Sequence, residues 1–391
     1  MALVTLTERT PAHRAYRVVF WSLAVAALIY VPYFASRPAR IDQFTQVVCY
    51  AVAILALNLV IGFSGQISLG HSAFVGIGAY TTIILVADHS WSYFTTIPVA
   101  FALTFLVGVL VGLPALKIRG LYLAVVTLAV ATVFPTLVIK YESFTGGPNG
   151  KQARDRLVPP DWTPWDPRSR FGPVAYRYFV ILLIAALMFL LVRNLLKSRV
   201  GRAIIAQRDN QTSAATSGVN LAVFKTLTFG MSAAVAGVAG SLLMIETPQA
   251  TDTKFGLELA IFLVVALIIG GVATVGGAVP GALAFVFIPY YTRQWGDNIS
   301  FLEGRPGAGA ISGIFYGALL LVFVFALPGG VMDGIRRVKA RVIKVIPNPS
   351  WLPEDHAEII VSDAPVSAFP ELVTEPTADD LTSTTTRGST E

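Results

Sequence analysis

The chain has 391 residues, of which 54% are hydrophobic and only 13% are charged, and its formal net charge is +6. A typical soluble domain carries about 25% charged residues, so this composition excludes a soluble globular protein and predicts an integral membrane protein. The basic residues are dispersed among the segments between hydrophobic runs instead of lining one face, which argues against nucleic-acid binding.

Apolar, nearly uncharged segments recur along the chain, and most approach the length of about 17–25 residues that spans a bilayer. In chain order they cover residues 18–34, 44–62, 67–87, 94–116, 121–139, 174–192, 226–245, 259–271, 276–291 and 310–327. The sequence therefore predicts an all-α polytopic membrane protein with about ten membrane segments, in a domain over residues 18–346.

Basic residues set the expected orientation of these segments. They gather before the first segment, between the fourth and fifth, around residues 193–225 and after the last. These groups fall on one side when the segments alternate, and the positive-inside rule makes that side cytoplasmic. We therefore expect a cytoplasmic N-terminus over residues 1–17, an external loop over 141–176 and a cytoplasmic loop over 193–225. Residues 347–391 have too few apolar residues to fold and are expected to form a disordered cytoplasmic tail.

Glycines interrupt two of the apolar regions. Residues 259–291 form one charge-free run that is too long for a single span, and Gly270, Gly271, Gly276 and Gly277 mark its expected break. Residues 43–87 have the same character. Such interruptions are typical of a transport site at unwound backbone, and close helix packing through small residues explains the same glycines equally well. We expect some segments to be broken or re-entrant at these points.

The first interrupted region also holds the densest group of polar side chains within the apolar segments, and these form the predicted substrate path: Asn58, Gln66, Ser68, His71 and Ser72. Polar groups surrounded by lipid must find partners, so these side chains are expected to face protein or water. If the stretch is helical, Ser64, Ser68 and Ser72 share one stripe at four-residue spacing. His71 is either a functional intramembrane group or a neutral imidazole bonded to a backbone carbonyl.

Residues 201–220, which we call the island, are a polar and basic stretch between hydrophobic runs. The pattern predicts a short helix that opens at Gly201 and Arg202, a second short helix capped by Asp209 or Asn210, and a left-handed stop at Gly218. A structured loop of this kind between membrane segments is typical of a surface that binds a partner. A solvated connector is the alternative.

The sequence shows no residue arrangement typical of a catalytic, metal or cofactor site, and we expect none. Residues 146–151 depart from a phosphate-binding loop because Gln152 stands where Ser or Thr is required. Cys49 is the only cysteine, lies in an apolar segment and is expected to pack there. Glu246 and Glu258 flank an external turn, where we expect solvent to surround both.

Six blocks in order along residues 43–331 resemble the inner-membrane permeases of branched-chain amino acid ABC importers, the LivM-like subunits. The blocks are NLVIGFSGQISLGHSAFVGIGAY (58–80), IRGLYLAVVTLA (118–129), SFTGGPNG (143–150), the island GRAIIAQRDNQTSAATSGVN (201–220), GGVATVGGAVPGA (270–282) and ALPGGV (326–331). The resemblance implies a mostly helical permease in a prokaryotic plasma (inner) membrane. It also implies that the permease pairs with a second, LivH-like permease, two cytoplasmic ABC ATPase subunits and an external solute-binding protein.

The same resemblance implies that the island docks in an ATPase subunit through the motif positions Gly201, Arg202, Arg208, Asn210 and Gly218. Gln211 departs from the family, which usually has Glu at this position, and Thr216 replaces a commoner apolar or acidic residue. Both departures bear on how the island's charges pair with the ATPase.

The implied function is uptake of branched-chain amino acids, driven by ATP that the partner subunits hydrolyse, so the chain itself is not expected to be an enzyme. Urea or a short amide is the alternative substrate. An ion-coupled secondary transporter is an alternative class, and the expected lack of buried carboxylates argues against it. A scaffold subunit is a third class, and it would not need broken helices.

Overall fold

The computed structural model describes residues 4–7, 38–113, 121–297, 317, 325 and 329–346. The chain divides into two compact units, one formed by Ser22–Lys339 and one formed by Met1–Trp21 with Ala340–Glu391. In the second unit, strand Val4–Thr7 pairs in parallel with strand Ile343–Ile346. The membrane helices belong to the first unit.

Helices dominate the described residues. In chain order they are α1 (Pro38–Asn58), α2 (His71–His89), α3 (Tyr93–Gly112), α4 (Leu121–Lys140), α5 (Glu142–Thr145), α6 (Gly172–Lys197), α7 (Arg199–Asp209), α8 (Gln211–Thr216), α9 (Leu221–Glu246), α10 (Leu257–Gly270), α11 (Ala278–Asp297) and α12 (Gly330–Val342). A π-helical turn covers Leu59–Phe63, and 3-10 turns cover Gly147–Asn149, Asp252–Phe255 and Val275–Gly277.

Eight helical stretches within the described residues are long and apolar enough to cross a membrane. They match the second to ninth predicted segments and confirm an all-α polytopic membrane protein. The first predicted segment, nearly all of the tenth, most of the N-terminal 1–17 and the tail 347–391 lie outside the described residues.

Helix α9 is the centre of the bundle. It packs against α1, α2 and α3, and 94% of its most apolar window is buried. Small residues allow this enclosure, because a Cβ atom on Gly240 would meet the backbone oxygen of Val75, and a Cβ atom on Gly78 would meet the backbone of Gly237. The peripheral helices differ: only 22% of the corresponding window is buried in α3 and in α6.

The remaining membrane helices form a second group around α1. Helix α11 packs on α1, α10 packs on α11, and α6 packs mainly on α1 with smaller contacts to α7 and α9. Helix α4 contacts α2 and the 3-10 turn Asp252–Phe255. Helix α1 therefore packs in both groups.

Both predicted interruptions are confirmed as breaks between helices. Helix α1 loosens into the π-turn Leu59–Phe63, and residues 64–70 are non-helical before α2 begins. Helix α10 ends at Gly270, residues 271–274 are unwound, and a 3-10 turn leads into α11. We call the end of the bundle that carries these breaks and the island the island end.

The opposite end, which we call the loop end, carries the predicted external loop. Strand Lys151–Gln152 pairs antiparallel with strand Gln249–Ala250, and the Lys151 ammonium forms an ion pair with Asp88. Helix α6 begins at Gly172, so the loop ends before residue 176, its predicted boundary.

Candidate functional site

The island folds into two short helices, as the sequence predicts. Helix α7 begins at Arg199, ahead of the predicted opening, because the Ser198 hydroxyl caps it and accepts a hydrogen bond from the Gly201 N–H at 3.3 Å. Asn210 separates α7 from α8 and caps α8 by accepting a hydrogen bond from the Ser213 N–H at 3.0 Å. Gly218 has φ of +84°, which confirms the left-handed stop.

The predicted docking positions on the island divide into buried and exposed residues. Gly201 is buried, and a Cβ atom there would meet the carbonyl oxygens of Leu195 and Leu196. Arg202 is exposed and donates to the Lys197 carbonyl at 3.2 Å. Asn210 and Gly218 are exposed as well. Gly201 therefore packs against the end of α6, where a side chain would not fit, and the exposed positions form the outer surface of the island.

Arg208 connects the island to the first helix break. Its Nη1 donates to the backbone oxygen of Gly62 at 3.0 Å, and its Nε donates to Asp209 Oδ1 at 2.9 Å. A Cβ atom on Gly65 would lie 2.9 Å from the Arg208 Cγ, so the aliphatic stem rests on the break. The Arg208 side chain is 32% exposed. One face of this guanidinium is thus hydrogen-bonded to the helix bundle.

Lys225 forms a second connection between the island and the first break. Its ammonium donates to Gln211 Oε1 at 3.3 Å, and its backbone oxygen accepts from Gln66 Nε2 at 3.4 Å. Gln211, the residue that departs from the family pattern, therefore has a partner within the chain.

The predicted serine stripe is wrong, because residues 64–70 are not helical. The π-turn loosens α1, and Gly65 leaves the helical conformation with φ of +70°. Ser64, Gln66 and Ser68 are buried, whereas Gly65 and Ile67 between them are exposed. Only Ser72 of the three serines lies in a helix, at the start of α2.

His71 is 1% exposed and bridges helices α1, α2 and α9. Its Nδ1 lies 3.0 Å from Ser68 Oγ, and its Nε2 lies 2.6 Å from Ser232 Oγ. The Ser232 hydroxyl donates its single hydrogen to the Ala56 carbonyl oxygen at 2.5 Å. His71 Nε2 must therefore carry the hydrogen that Ser232 accepts. One of the two alternatives from the sequence was a neutral imidazole bonded to a backbone carbonyl. The imidazole is connected to the Ala56 carbonyl, but through the Ser232 hydroxyl.

Two atoms of the predicted path have no hydrogen-bond partner among the described residues: Gln66 Oε1 and Ser72 Oγ. Gln66 is held in place by its Nε2, which donates to Ser64 Oγ at 2.6 Å. The other path residues direct their polar atoms to groups of the chain itself. Gln66 and Ser72 thus keep hydrogen-bonding capacity for water or a solute.

Asn58 joins the two helix breaks to each other. Its Nδ2 donates to the Thr274 carbonyl oxygen at 2.8 Å, and its Oδ1 accepts from the Ala273 N–H at 2.9 Å. Asn58 is fully buried at the end of α1, and its partners lie in the unwound turn between α10 and α11. We call this pair of hydrogen bonds the Asn58 clamp, and it ties the end of α1 to this turn at the island end.

Replacing Asn58 with Leu should destabilise the protein, because a buried N–H and a buried carbonyl would lose their partners at about 1–3 kcal/mol each. Asn58→Asp should do less harm, since the Ala273 N–H keeps an acceptor. We expect a lower apparent melting temperature in detergent for Asn58→Leu than for Asn194→Leu, which changes an exposed asparagine on α6. Equal melting temperatures for these two variants would contradict the clamp.

Glu246 corrects a sequence-based expectation at the loop end. It is only 9% exposed, its Oε1 accepts from Gln46 Nε2 at 3.2 Å, and its Oε2 accepts from the Thr247 hydroxyl at 2.6 Å. Solvent does not surround it, because α9 continues to residue 246 and α1 packs against α9. The expected lack of buried carboxylates is therefore wrong. Glu258, in contrast, is exposed as predicted.

A second buried charge lies at the same end. The Arg177 guanidinium, on the first turns of α6, lies 3.9 Å from Asp42 Oδ1 on α1. Two sequence signals could have indicated this polar group: Asp42 and Gln46 are four residues apart on one helix face, and Arg177 stands inside an apolar segment.

Comparisons with known proteins agree with this architecture. A family model described as "Branched-chain amino acid transport system / permease component" matches residues 40–324. The high-affinity branched-chain amino acid transport system permease protein LivM of Escherichia coli (strain K12) is 29% identical over 77% of this chain and 74% of the relative. A probable LivM of Methanocaldococcus jannaschii is 24% identical over 66% of this chain and 69% of the relative.

LivH permease proteins also match, at greater distance. The LivH of Salmonella typhimurium is 23% identical over 72% of this chain and 91% of the relative. No solved structure matches the chain. Since the family model spans well over half of the sequence, and its matched region contains both helix breaks and the island, the chain belongs to the family of permease components of branched-chain amino acid transport systems.

Proposed function

We propose that the chain is a membrane-spanning permease subunit of an ABC importer that takes up branched-chain amino acids across a prokaryotic plasma membrane. The observation that carries this proposal is the folded island, in which Arg202, Asn210 and Gly218 are exposed and Gly201 is buried. In this proposal two cytoplasmic ATPase subunits dock on the island and hydrolyse the ATP. The names of the LivM and LivH relatives support the substrate class.

In this proposal the two ends of the bundle bind different partners. The island end faces the cytoplasm, as do both termini, because the basic residues gather there. The loop end faces outward and receives the amino acid from an external solute-binding protein. A second, LivH-like permease completes the membrane part. The buried Glu246 does not favour an ion-coupled transporter, since both of its oxygens accept hydrogen bonds within the chain.

Purification of the tagged chain from its native membrane in mild detergent tests this proposal. ATPase subunits and a second permease should accompany the chain, and the complex in proteoliposomes should take up radiolabelled leucine only with ATP and the binding protein. Radiolabelled urea is the matched control substrate. Uptake by the chain alone, driven by an ion gradient, would contradict the proposal, and uptake of urea in place of leucine would change the substrate.

The polar segment at the first break, residues 64–72, stays the predicted exit path for the amino acid. Thiol labelling of cysteines introduced into this segment tests the prediction. In a Cys49→Ala background, Ser68→Cys should react with a small polar thiol reagent at a rate that changes when ATP is trapped. Ile67→Cys, at an exposed neighbouring position, should react at the same rate in both states. Gln66→Leu should reduce leucine uptake in an assembled complex because it removes the unpaired Oε1. His71→Asn should be milder if the imidazole is structural.

If Ser68→Cys is unreactive in both states and Gln66→Leu transports normally, residues 64–72 pack the bundle and do not line a path. The exit would then have to follow the unwound turn at residues 271–274.

A further inference from the structure

A cavity of about 900 Å³ lies at the loop end between α1, α10 and α11. We call it the outer cavity. Its volume lies within the range of about 300–1,000 Å³ that is usual for small-molecule sites. Helix α1 supplies Gln43, Gln46 and Tyr50, α10 supplies Glu258 and Phe262, and α11 supplies Phe285 among other residues. None of these residues belongs to the predicted path at the island end.

Polar side chains line the mouth of the outer cavity. Gln43 and Gln46 lie in the first turns of α1, Glu258 lies in the first turn of α10, and Gln294 lies near the end of α11. Lys254, in the preceding 3-10 turn, adds an ammonium group and is anchored by one hydrogen bond to the Gln249 carbonyl at 3.0 Å. The mouth therefore offers charges of both signs next to amide groups.

Gln46 has a fixed orientation at this mouth. Its Nε2 donates to the buried Glu246 at 3.2 Å, which leaves its Oε1 as a hydrogen-bond acceptor. The outer cavity thus has an acceptor from α1 in addition to the Glu258 carboxylate from α10. Both are suited to an ammonium group, and the Lys254 ammonium is suited to a carboxylate.

Aromatic rings form the floor of the outer cavity. Phe285 lies between Tyr50, at a ring-centroid distance of 4.3 Å, and Phe262, at 6.2 Å. Tyr50 and Phe262 are each one turn deeper than the polar residues Gln46 and Glu258 on the same helices. An apolar group that enters between the polar residues therefore meets three rings.

We infer that the outer cavity binds an amino acid zwitterion with an apolar side chain as it enters the permease. The ammonium group faces Glu258 and Gln46, the carboxylate faces Lys254, and the side chain contacts the aromatic floor. A lipid chain or a partner helix would not require this mouth with charges of both signs, and urea would not require the rings. Deeper along the same helices, the Asn58 clamp ties the end of α1 to the turn between α10 and α11.

This inference rests on the proposed function, and one experiment separates the two. The complete complex with its binding protein is placed in proteoliposomes, and radiolabelled leucine uptake is measured together with ATP hydrolysis. Glu258→Gln and Lys254→Gln should each lower the leucine transported per ATP about threefold to tenfold, because each removes one charged contact. Asp161→Asn, which removes one exposed charge from the outer loop, is the matched control and should leave the ratio unchanged.

Thiol labelling supplies a second readout. In the Cys49→Ala background, Gln294→Cys should react with a polar reagent, and leucine-loaded binding protein with ATP should slow this reaction relative to the empty binding protein. Trp162→Cys, on the exposed outer loop, should react equally in both conditions.

Each result decides the matter. If the unmodified complex takes up leucine and both charge variants have normal leucine-to-ATP ratios, the inference that the outer cavity binds the amino acid is overturned. The proposed function would still stand. An unreactive Gln294→Cys beside a reactive Trp162→Cys would show that a partner subunit or lipid covers the cavity. This result would also overturn the inference that the cavity binds the amino acid. No leucine uptake by the unmodified complex would overturn both.

Discussion

Gly240→Val should prevent the protein from accumulating as a folded complex in the membrane. Gly240 lies six residues before the end of α9, where a Cβ atom would meet the backbone oxygen of Val75 on α2. Overpacking a core usually costs about 1–3 kcal/mol, and the cost is higher where a backbone atom blocks the new side chain, because helices cannot shift without breaking other contacts. Helix α9 also packs against α1 and α3, so a displaced α9 would disturb all three neighbours.

A graded series measures this effect. Gly240→Ala should already lower the yield of monodisperse protein after membrane extraction, and Gly240→Val should abolish it. Gly256→Ala is the matched control, because the nearest atom to its new Cβ would be 3.6 Å away. Normal extraction of Gly240→Val would show that α2 and α9 do not approach as closely as the structure indicates.

The features that the sequence predicted correctly depend on short stretches of chain. The apolar segments, the break at Gly270–Gly271 and the caps of the island require only the order of neighbouring residues, since Asn210 and Gly218 act within one helical turn. Hydrophobic length and local backbone preference are sufficient for such predictions. The second to ninth segments therefore matched the helices.

The features that the sequence missed depend on contacts between distant residues. Glu246 was expected in solvent because it flanks a turn, but Gln46, 200 residues earlier, covers it. Asn58 stays a candidate for the substrate path, but the sequence did not reveal that its side chain bonds to residues 273 and 274. The helical serine stripe failed because glycine and a π-turn ended the helix where a regular spacing suggested that it continued.

Arg208 illustrates how the two kinds of information combine. The resemblance assigned it to the docking surface, whereas the structure shows one face of its guanidinium bonded to Gly62. Gly62 lies against Ala273, and Asn58 bonds to that same residue. A continuous set of contacts therefore runs from the island through the first break to the second. A movement of α7 would reach both breaks through this set.

If ATPase subunits dock on the island as proposed, Arg208→Glu should uncouple ATP hydrolysis from uptake, with leucine uptake reduced about tenfold or more while the ATPase subunits remain bound. The substitution removes the donor to the Gly62 carbonyl and brings a carboxylate next to Asp209, so α7 would separate from the first break. Arg208→Lys should retain part of the uptake, because an ammonium can reach one of the two acceptors but lacks the fork that holds both.

Arg202→Glu is the matched comparison, since it reverses a charge on the same helix at an exposed position. If the docking proposal is correct, Arg202→Glu should release the ATPase subunits during purification, and Arg208→Glu should not. Co-purification and uptake measured on the same preparations therefore separate attachment from transmission. Loss of the ATPase subunits from both variants would place Arg208 in the docking surface alone. Normal uptake by Arg208→Glu would mean that the bond to Gly62 transmits nothing, and the movement of the ATPase would then have to reach the breaks through Lys225 and Gln66.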